Sequence, residues 1–429
     1  MKPLGLKDKD GVTYINKYSV EELVNEYKTP LYIMDEKQLL KNIVDYKEYF
    51  KSSMFKTNVV YASKALLTKG LLEILSKNDY HMDAVSLGDL FVAKESGFDL
   101  SKIVFHGNNK SYEELEYAVE NNVGIIVVDN LYELKKLIEI TNQHEKDVNI
   151  MFRVNPGIDV HTHVYVQTSK LTSKFGESIF DEQIIDDLIT TVQLAKYVHL
   201  LGFHAHIGSS VMESEAYQLE IEQMVDFQNN INNKYHLSLY HLNIGGGFGI
   251  TYTKKNKALP IMEMMRKVVS YLEAEISKTN SLINTVYIEP GRSIVGNAGV
   301  TVYKISQIKP TYGKKNYLFI DGGMTDNIRP ALYQATYEVD VVNKKTLKKE
   351  ILVDVVGKCC ESGDIIRQDV LVPYVTDQDH LIVYATGAYN YSMFSNYNNM
   401  LKPALICVGD NIEVWSKREE LKDLIRLFK

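Results

Sequence analysis

Cysteine is nearly absent from this chain: Cys359, Cys360 and Cys407 are the only three in 429 residues. Two of them are adjacent, where a mutual disulfide would be strained. A disulfide-stapled scaffold is therefore excluded, and free thiols of this kind suit a reducing cytoplasm. Long apolar runs are missing too, with none near the roughly 20 residues that a membrane-crossing helix needs. The opening residues, MKPLGLKDKDGVTYINKY, hold no apolar signal core, so no secretion address is expected. An excess of positive charge is also lacking. Lys and Arg number 48 against 55 Asp and Glu, a formal charge of −7, which argues against nucleic acid or an anionic membrane surface as a partner. No low-complexity tract or charge block interrupts the chain. What remains is an ordinary globular composition, 45% hydrophobic and 24% charged, long enough for two or three domains or for one large barrel with an added module.

Short apolar runs rich in β-branched residues recur along the first two thirds: NVVYAS (58–63), MDAVS (82–86), KIVFHG (102–107), GIIVVD (124–129), NIMFRVN (149–155), LLGFHAHIG (200–208), LYHLNIGGG (239–247) and TVYIEPGR (285–292). Between them lie segments such as EELEYAVENN and DNLYELKKLIEI, with apolar residues three and four apart. Strands that are apolar throughout and alternate with helices are parallel strands buried on both faces. Eight such units over roughly 250 residues predict a closed (β/α)8 barrel of the TIM type. An open doubly wound sheet gives the same pattern, because sequence does not show closure. After Gly299 the pattern changes to strands without long helices between them: VTVYKISQIKP, NYLFID, TYEVDVVNKK, KEILVDVVG and HLIVYATG. This predicts a mainly antiparallel β domain. The expected division is a barrel over 30–298 and a β-rich domain over 299–429. The first 30 residues fit neither pattern well; they open the barrel or lend a strand to the β domain, with 1–29 expected to join the latter. The ending, WSKREELKDLIRLFK (415–429), reads as a terminal amphipathic helix.

Polar and glycine residues gather at the C-terminal ends of the barrel runs: Ser63-Lys64, Ser86, His106-Gly107-Asn108, Asn155-Pro156, His206 to Ser209, Gly245-Gly246-Gly247 and Glu289 to Arg292. In a barrel these ends share one face, the face that carries active sites. Glycines after an apolar strand let backbone N–H groups approach a phosphate, and Ser209 adds a hydroxyl one strand earlier. The run is neither a dinucleotide fingerprint nor a Walker loop, and a plain turn is its structural alternative. Lys64 at the barrel mouth is suited to forming a Schiff base. A phosphate site beside such a lysine is the pattern of pyridoxal phosphate, with Glu289 as partner for the ring nitrogen; an ion pair with Arg292 is the bland reading of that glutamate. His204 and His206 have the spacing of HxH metal ligands, with His161 and His163 elsewhere, but no third ligand has the right spacing, and no metal is expected. Stacking of His206 on an aromatic cofactor fits better. In KCCESGD (358–364), Cys360 reads either as an inert thiol or, flanked by Glu361, as a working acid. GAYNYSMFSNYNN (387–399) lines a polar pocket or forms an irregular surface loop.

Taken together, YASKA (61–65), HIGSS (206–210), GGGFG (245–249), EPGRSIVGNAG (289–299), DGGMTDNIRPALYQA (321–335), KCCESGD and GAYNYSM (387–393) resemble the diaminopimelate decarboxylases, within the alanine-racemase-like, fold-type III group of pyridoxal phosphate-dependent decarboxylases. The match runs in order from about Thr29 to the neighbourhood of Cys407. The resemblance implies a pyridoxal phosphate barrel followed by a β domain to which N-terminal residues contribute. It also implies a homodimer with active sites between the subunits. Lys64 then looks like the Schiff-base lysine, with His206 stacked on the ring and Glu289 holding its nitrogen protonated. Ser209, Gly245, Gly246, Gly247 and the Pro290-Gly291-Arg292 region would bind the phosphate, and Tyr389 would also touch the cofactor. Arg292, Arg329, Tyr333, Glu361 and Tyr389 would hold the substrate, and Cys360 would donate the proton, reaching with Glu361 into the other subunit's site. Departures are Ser210, where the family often has Gln, and Asn399 to Pro403, where it often has an Arg-Pro-rich stretch. The implied reaction is decarboxylation of meso-2,6-diaminopimelate to L-lysine and carbon dioxide, the last step of lysine synthesis. The alternatives are a sister decarboxylase of another basic amino acid or polyamine precursor, and a non-catalytic regulator on the same fold.

Overall fold

A computed structural model of the chain describes residues 2–158 and 173–429; His161 and His163 fall outside them. All eight apolar runs are barrel strands: β1 (Lys56–Ala62), β2 (His81–Ala84), β3 (Ile103–Phe105), β4 (Ile125–Val128), β5 (Val148–Asn155), β6 (Val198–His204), β7 (His241–Gly246) and β8 (Thr285–Glu289). Neighbours pair in parallel in that order, and β8 closes on β1 with Val286 opposite Thr57. Closure removes both sheet edges, so β-branched residues fill the interior: Val60, Val104, Ile125 and Val127 pack with Met151 and Tyr287. The barrel is thus filled rather than hollow, and its chemistry is confined to the strand ends.

The intervening helices are held by local signals. Thr68 caps Lys69–Lys77 by accepting the Leu71 N–H at 3.2 Å, and the helix buries Leu71, Leu72 and Leu75. Glu215–Tyr235, between β6 and β7, is less ordinary. Its inner face buries Tyr217, Ile221, Met224 and Val225, and also Glu220, which is fully inaccessible. Neither Glu220 oxygen has a hydrogen-bond partner among the described residues. Among the described residues, no helix is long and apolar enough to cross a membrane.

The second unit is a mainly antiparallel sheet centred on Gly299–Pro310, which pairs with Asn316–Ile320, His380–Tyr384 and Leu31–Asp35. Two apolar clusters form its core, one around Leu31, Ile33, Val300, Val302 and Ile406, the other around Tyr303, Ile305, Leu318, Val355 and Leu381. The N-terminal residues form a three-stranded sheet, Leu6–Lys9, Val12–Ile15 and Tyr18–Ser19, followed by a helix, Val20–Tyr27, that starts with a capping box from Ser19 and Glu22.

Two readings of the sequence differ from what is observed. Leu31–Asp35, which falls inside the expected barrel range of 30–298, lies antiparallel to Gly299–Pro310 and parallel to Ala404–Val408. Burial on both faces is common to central strands of either sheet, so the pattern does not distinguish them. By compactness the units are Met1–Asn42, Ile250–Lys257 and Arg292–Lys429, against Ile43–Gly249 and Ala258–Gly291. The second difference is the expected terminal helix. Ile412–Ser416 is instead an edge strand paired with Leu405–Val408, and only Leu421–Leu424 is helical. Leu421, Ile425, Leu427 and Phe428 are exposed, so the apolar stripe that suggested a helix has no surface to bury.

Burial raises the Glu220 carboxyl well above the usual range, with further repulsion from the Glu289 charge. The folded chain therefore keeps a proton that the unfolded chain releases above about pH 4.5. Stability from this group is present below that pH and declines as pH rises toward the raised folded value. Glu220→Gln is expected to match the wild type near pH 4.5 and to gain on it by up to about 1.4 kcal/mol per pH unit above, as read by urea denaturation across pH. A constant difference between the two proteins would contradict this.

Candidate active site

The C-terminal ends of the barrel strands gather charged and hydrogen-bonding groups around Glu289, the last residue of β8. The Glu289 carboxylate is buried, and Oε1 accepts from Asn243 Nδ2 on β7 at 2.7 Å and from His106 Nε2, just beyond β3, at 2.8 Å. Oε2 accepts from His204 Nε2 at the end of β6, at 3.3 Å. Burial alone would raise this carboxyl; the two histidines and their hydrogen bonds outweigh it and hold Glu289 well below the usual carboxylate range. His204 itself is pushed down to about 4 by burial, so it donates as a neutral ring. His106, His204 and Glu289 have ligand-type atoms within 4.8 Å of one another. Both histidine Nε2 atoms are already committed to the carboxylate, which solvates an anion rather than assembling a ligand sphere.

Above this anion the glycine segment is fixed by its neighbours. Gly245 N–H donates to Asn243 Oδ1 at 2.9 Å, Gly246 N–H to His206 Nδ1 at 3.2 Å, and the Tyr217 hydroxyl to the Gly246 carbonyl at 2.9 Å. A Cβ on Gly246 would lie 2.0 Å from the Glu289 carbonyl oxygen, and one on Gly247, whose φ is +95°, 2.1 Å from that of Gly208. Side chains are therefore excluded, which leaves a backbone cradle beside Ser209. His206 is held well below its ordinary value by burial and by the Lys64 and Arg153 charges. It is a neutral ring whose Nδ1 is an acceptor, so Nε2 carries the hydrogen.

Lys64 lies exposed on the turn after β1. That turn is pinned at both sides: Ser63 N–H donates to Asp83 Oδ1 at 2.6 Å, and Ala62 N–H to the Pro290 carbonyl at 3.1 Å. Gly291 packs against it, since a Cβ there would meet that of Ala62 at 2.7 Å. Asp83 is raised to about 6 by burial, an effect partly offset by the Lys64 charge.

A second cluster lies within the β unit. Arg292, which follows Gly291, donates to the Tyr252 hydroxyl at 2.6 Å, and its guanidinium stands 4.7 Å from the Tyr389 ring centre. Arg329 donates from Nε to the Tyr337 hydroxyl at 3.0 Å and stands 5.1 Å from the Tyr333 ring and 5.3 Å from that of Tyr389. Tyr389 bridges both guanidiniums from a backbone with φ of +64°. Burial pushes the Tyr337 phenol up to about 12 against the pull of the arginines. Arg329 is buried, and no carboxylate pairs with it among the described residues. Cys360 and Glu361 lie elsewhere, exposed on the turn between Ile351–Val356 and Ile365–Val372, with the Cys360 N–H donating to Asn398 Oδ1 at 2.8 Å. The neighbouring Cys359 is the inert thiol of the pair, raised to about 11 by burial and by Asp364.

Sequence reading brought Lys64, His206, the glycines, Glu289 and the Arg329–Tyr389 group forward. It missed Asp83, Asn243, Tyr252 and Tyr337. Asp83 sits next to a strand end, where position is the available signal, and Asn243 lies inside its strand, where it interrupts an apolar run. The tyrosines carry none, being two among 29.

An anion to meet an aromatic nitrogen, a neutral ring to stack, a backbone cradle for a phosphate and a lysine at the rim are the requirements of pyridoxal phosphate. The residues fit that group, and fold and site together define a barrel-type pyridoxal phosphate enzyme. Comparison with known proteins agrees: the chain belongs to the pyridoxal-dependent decarboxylase family, whose pyridoxal binding domain model matches residues 39–296. It is 38% identical over 406 residues to the diaminopimelate decarboxylase of Bacillus subtilis (94% of this chain, 92% of the relative). Identity to that of Staphylococcus aureus is also 38%, over 421 residues (97% and 98%). The crystal structure of diaminopimelate decarboxylase from M. jannaschii in co-complex with L-lysine superposes with a TM-score of 0.92 at 29% identity, covering 100% of this chain and 99% of that one.

Gly246→Ala forces a Cβ against backbone, whereas in Gly296→Ala the nearest atom, at 2.7 Å, is the flexible Ile250 Cδ1. The first is expected to lose about 1–3 kcal/mol of stability or more together with cofactor retention, and the second to change little. Thermal melts and cofactor absorbance after gel filtration check this; equal behaviour would contradict the packing described.

Proposed function

We propose that the protein decarboxylates meso-2,6-diaminopimelate to L-lysine and carbon dioxide, the last step of lysine synthesis. The observation that carries the substrate is Arg329. A guanidinium buried beside tyrosines, without a carboxylate partner among the described residues, is costly unless an anion arrives, and planar Arg pairs with a carboxylate through two parallel bonds. A diacid has a second carboxylate to offer; ornithine and lysine do not. The relatives named above support the same reading.

Within it, Lys64 holds the cofactor covalently, Glu289 keeps its ring nitrogen protonated, and His206 stacks on the ring. Ser209, Gly245, Gly246, Gly247 and the Pro290-Gly291-Arg292 stretch receive the phosphate, and Tyr389 serves both cofactor and substrate. Bound pyridoxal phosphate supplies the sink for the electron pair freed as the carboxylate leaves. Arg329, Tyr333 and Tyr389, with Arg292, orient the substrate so that the bond to be broken stands across the conjugated plane. Glu361 receives the distal ammonium, and Cys360 Sγ gives a proton to the carbon that lost carbon dioxide. Both sit exposed on their turn, which suits service to a second copy of the chain in a homodimer with active sites between subunits. The barrel thus carries the cofactor and the β-rich domain the substrate contacts. A cytoplasmic setting keeps Cys360 reduced.

Carbon dioxide release by the cofactor-loaded protein, with meso-diaminopimelate, ornithine and lysine compared side by side, tests the substrate. Release from diaminopimelate with L-lysine as product is expected; release only from another amine moves the protein to a sister decarboxylase, and release from none to a regulator. Cys360→Ala is expected to lower kcat by about 10²–10⁴ while the cofactor stays bound, and unchanged turnover would remove it from the role. Arg329→Ala should cut kcat/KM for diaminopimelate by about 10-fold or more; unaltered kinetics would refute the docking.

A further inference from the structure

Glu289 receives donors from three strands other than its own, and they are unevenly shared. Oε1 accepts twice, from Asn243 at 2.7 Å and His106 at 2.8 Å, whereas Oε2 has a single longer bond from His204 at 3.3 Å. Each carboxylate oxygen offers about two acceptor sites, so Oε1 is saturated and Oε2 retains capacity. Asn243 has its amide orientation set by the Gly245 N–H on Oδ1, which leaves Nδ2 directed at Glu289. A ring nitrogen facing a carboxylate carries its hydrogen, so His106 is a donor there.

We propose that His106 and Asn243 are positioning residues for the reaction: they saturate Oε1 of Glu289, fix it as an anion, and so reserve Oε2 to accept the ring N–H of the cofactor. This rests on the reading of Glu289 as the partner of the ring nitrogen. The other titratable groups facing Glu289 are His204, His206, Asp83, Arg153 and Glu220. Asp83 and Glu220 favour its protonated form by repulsion when charged, and Arg153 opposes them. Glu289 is buried, so this balance depends on the donors that reach its carboxylate. A Glu289 that takes up a proton no longer presents an anion, and the ring nitrogen loses the charge that makes it an electron sink.

His106→Phe keeps the ring and removes the donor, while His106→Gln restores an N–H. In the cofactor-loaded protein, His106→Phe is expected to move the acid limb of the kcat profile upward by about 1–2 pH units, with KM little changed. The absorption band of the protonated cofactor should shift with it. His106→Gln should return much of the shift, and Asn243→Leu should reproduce it. A limb and spectrum that stay in place in both His106→Phe and Asn243→Leu overturn the proposal. The wild type gives an independent check that needs no variant to fold. Infrared difference spectra of glutamate-labelled protein, with Glu289→Gln as blank, should show no protonated Glu289 band at about pH 5; such a band would also overturn it. Glu289→Gln separates the two levels of the argument. If that variant keeps full turnover, the reading of Glu289 itself has failed; if it is inactive while His106→Phe is unshifted, only the positioning role has.

Discussion

One buried charge organises this protein. Glu289 ends the last barrel strand with its carboxylate out of water, where an isolated anion would take up a proton at a cost of several kcal/mol otherwise. It stays ionised because three other strands each bring a polar group to the same point: Asn243 from β7, His204 from β6 and His106 from just beyond β3. Only a closed parallel barrel brings residues so far apart in sequence to one face with their strand ends aligned. The glycine segment follows from the same constraint. Asn243 can hold Glu289 with one end of its amide and Gly245 with the other only if the chain turns tightly there, and Gly246 lies too close to the Glu289 backbone for any side chain.

The two units carry different chemistries. In the barrel, polar groups are neutralised in pairs or triads, and His204 and His206 are kept uncharged by burial, as suits a planar aromatic group with one protonated nitrogen. In the β unit, two guanidiniums are set among tyrosines, whose ring faces and hydroxyls solvate a cation without cancelling it. For Arg329, which has no carboxylate partner among the described residues, such a surrounding suits a carboxylate ligand. In the proposed reading the first arrangement serves the cofactor and the second mainly the substrate.

Much of this was legible in the sequence, for reasons that can be named. The eight strands could be read because each is apolar throughout and bounded by helical spacing, and the active face because strand ends such as Ser63-Lys64 and Glu289-Pro290-Gly291 are polar where their strands are not. Closure was not legible, since the pairing of Thr285–Glu289 with Lys56–Ala62 is a contact across more than 200 residues with no local mark. Leu31–Asp35 fell on the wrong side of the expected boundary at residue 30 because its pairing with Gly299–Pro310 has no local mark. The terminal helix was overcalled because helical spacing alone does not show whether a surface exists to receive the apolar stripe. Asn243, Asp83 and Tyr337 escaped notice because a supporting residue is defined by what it touches: an asparagine inside an apolar strand reads as an irregularity until its amide is seen on Glu289.

The central claim is that an ionised Glu289 makes the bound cofactor an electron sink. Its most direct test is the 15N spectrum of the full-length protein loaded with pyridoxal phosphate labelled at the ring nitrogen. The account predicts a protonated nitrogen at neutral pH whose proton is lost in Glu289→Gln. An unprotonated nitrogen in the wild type, or one indifferent to that substitution, would contradict it.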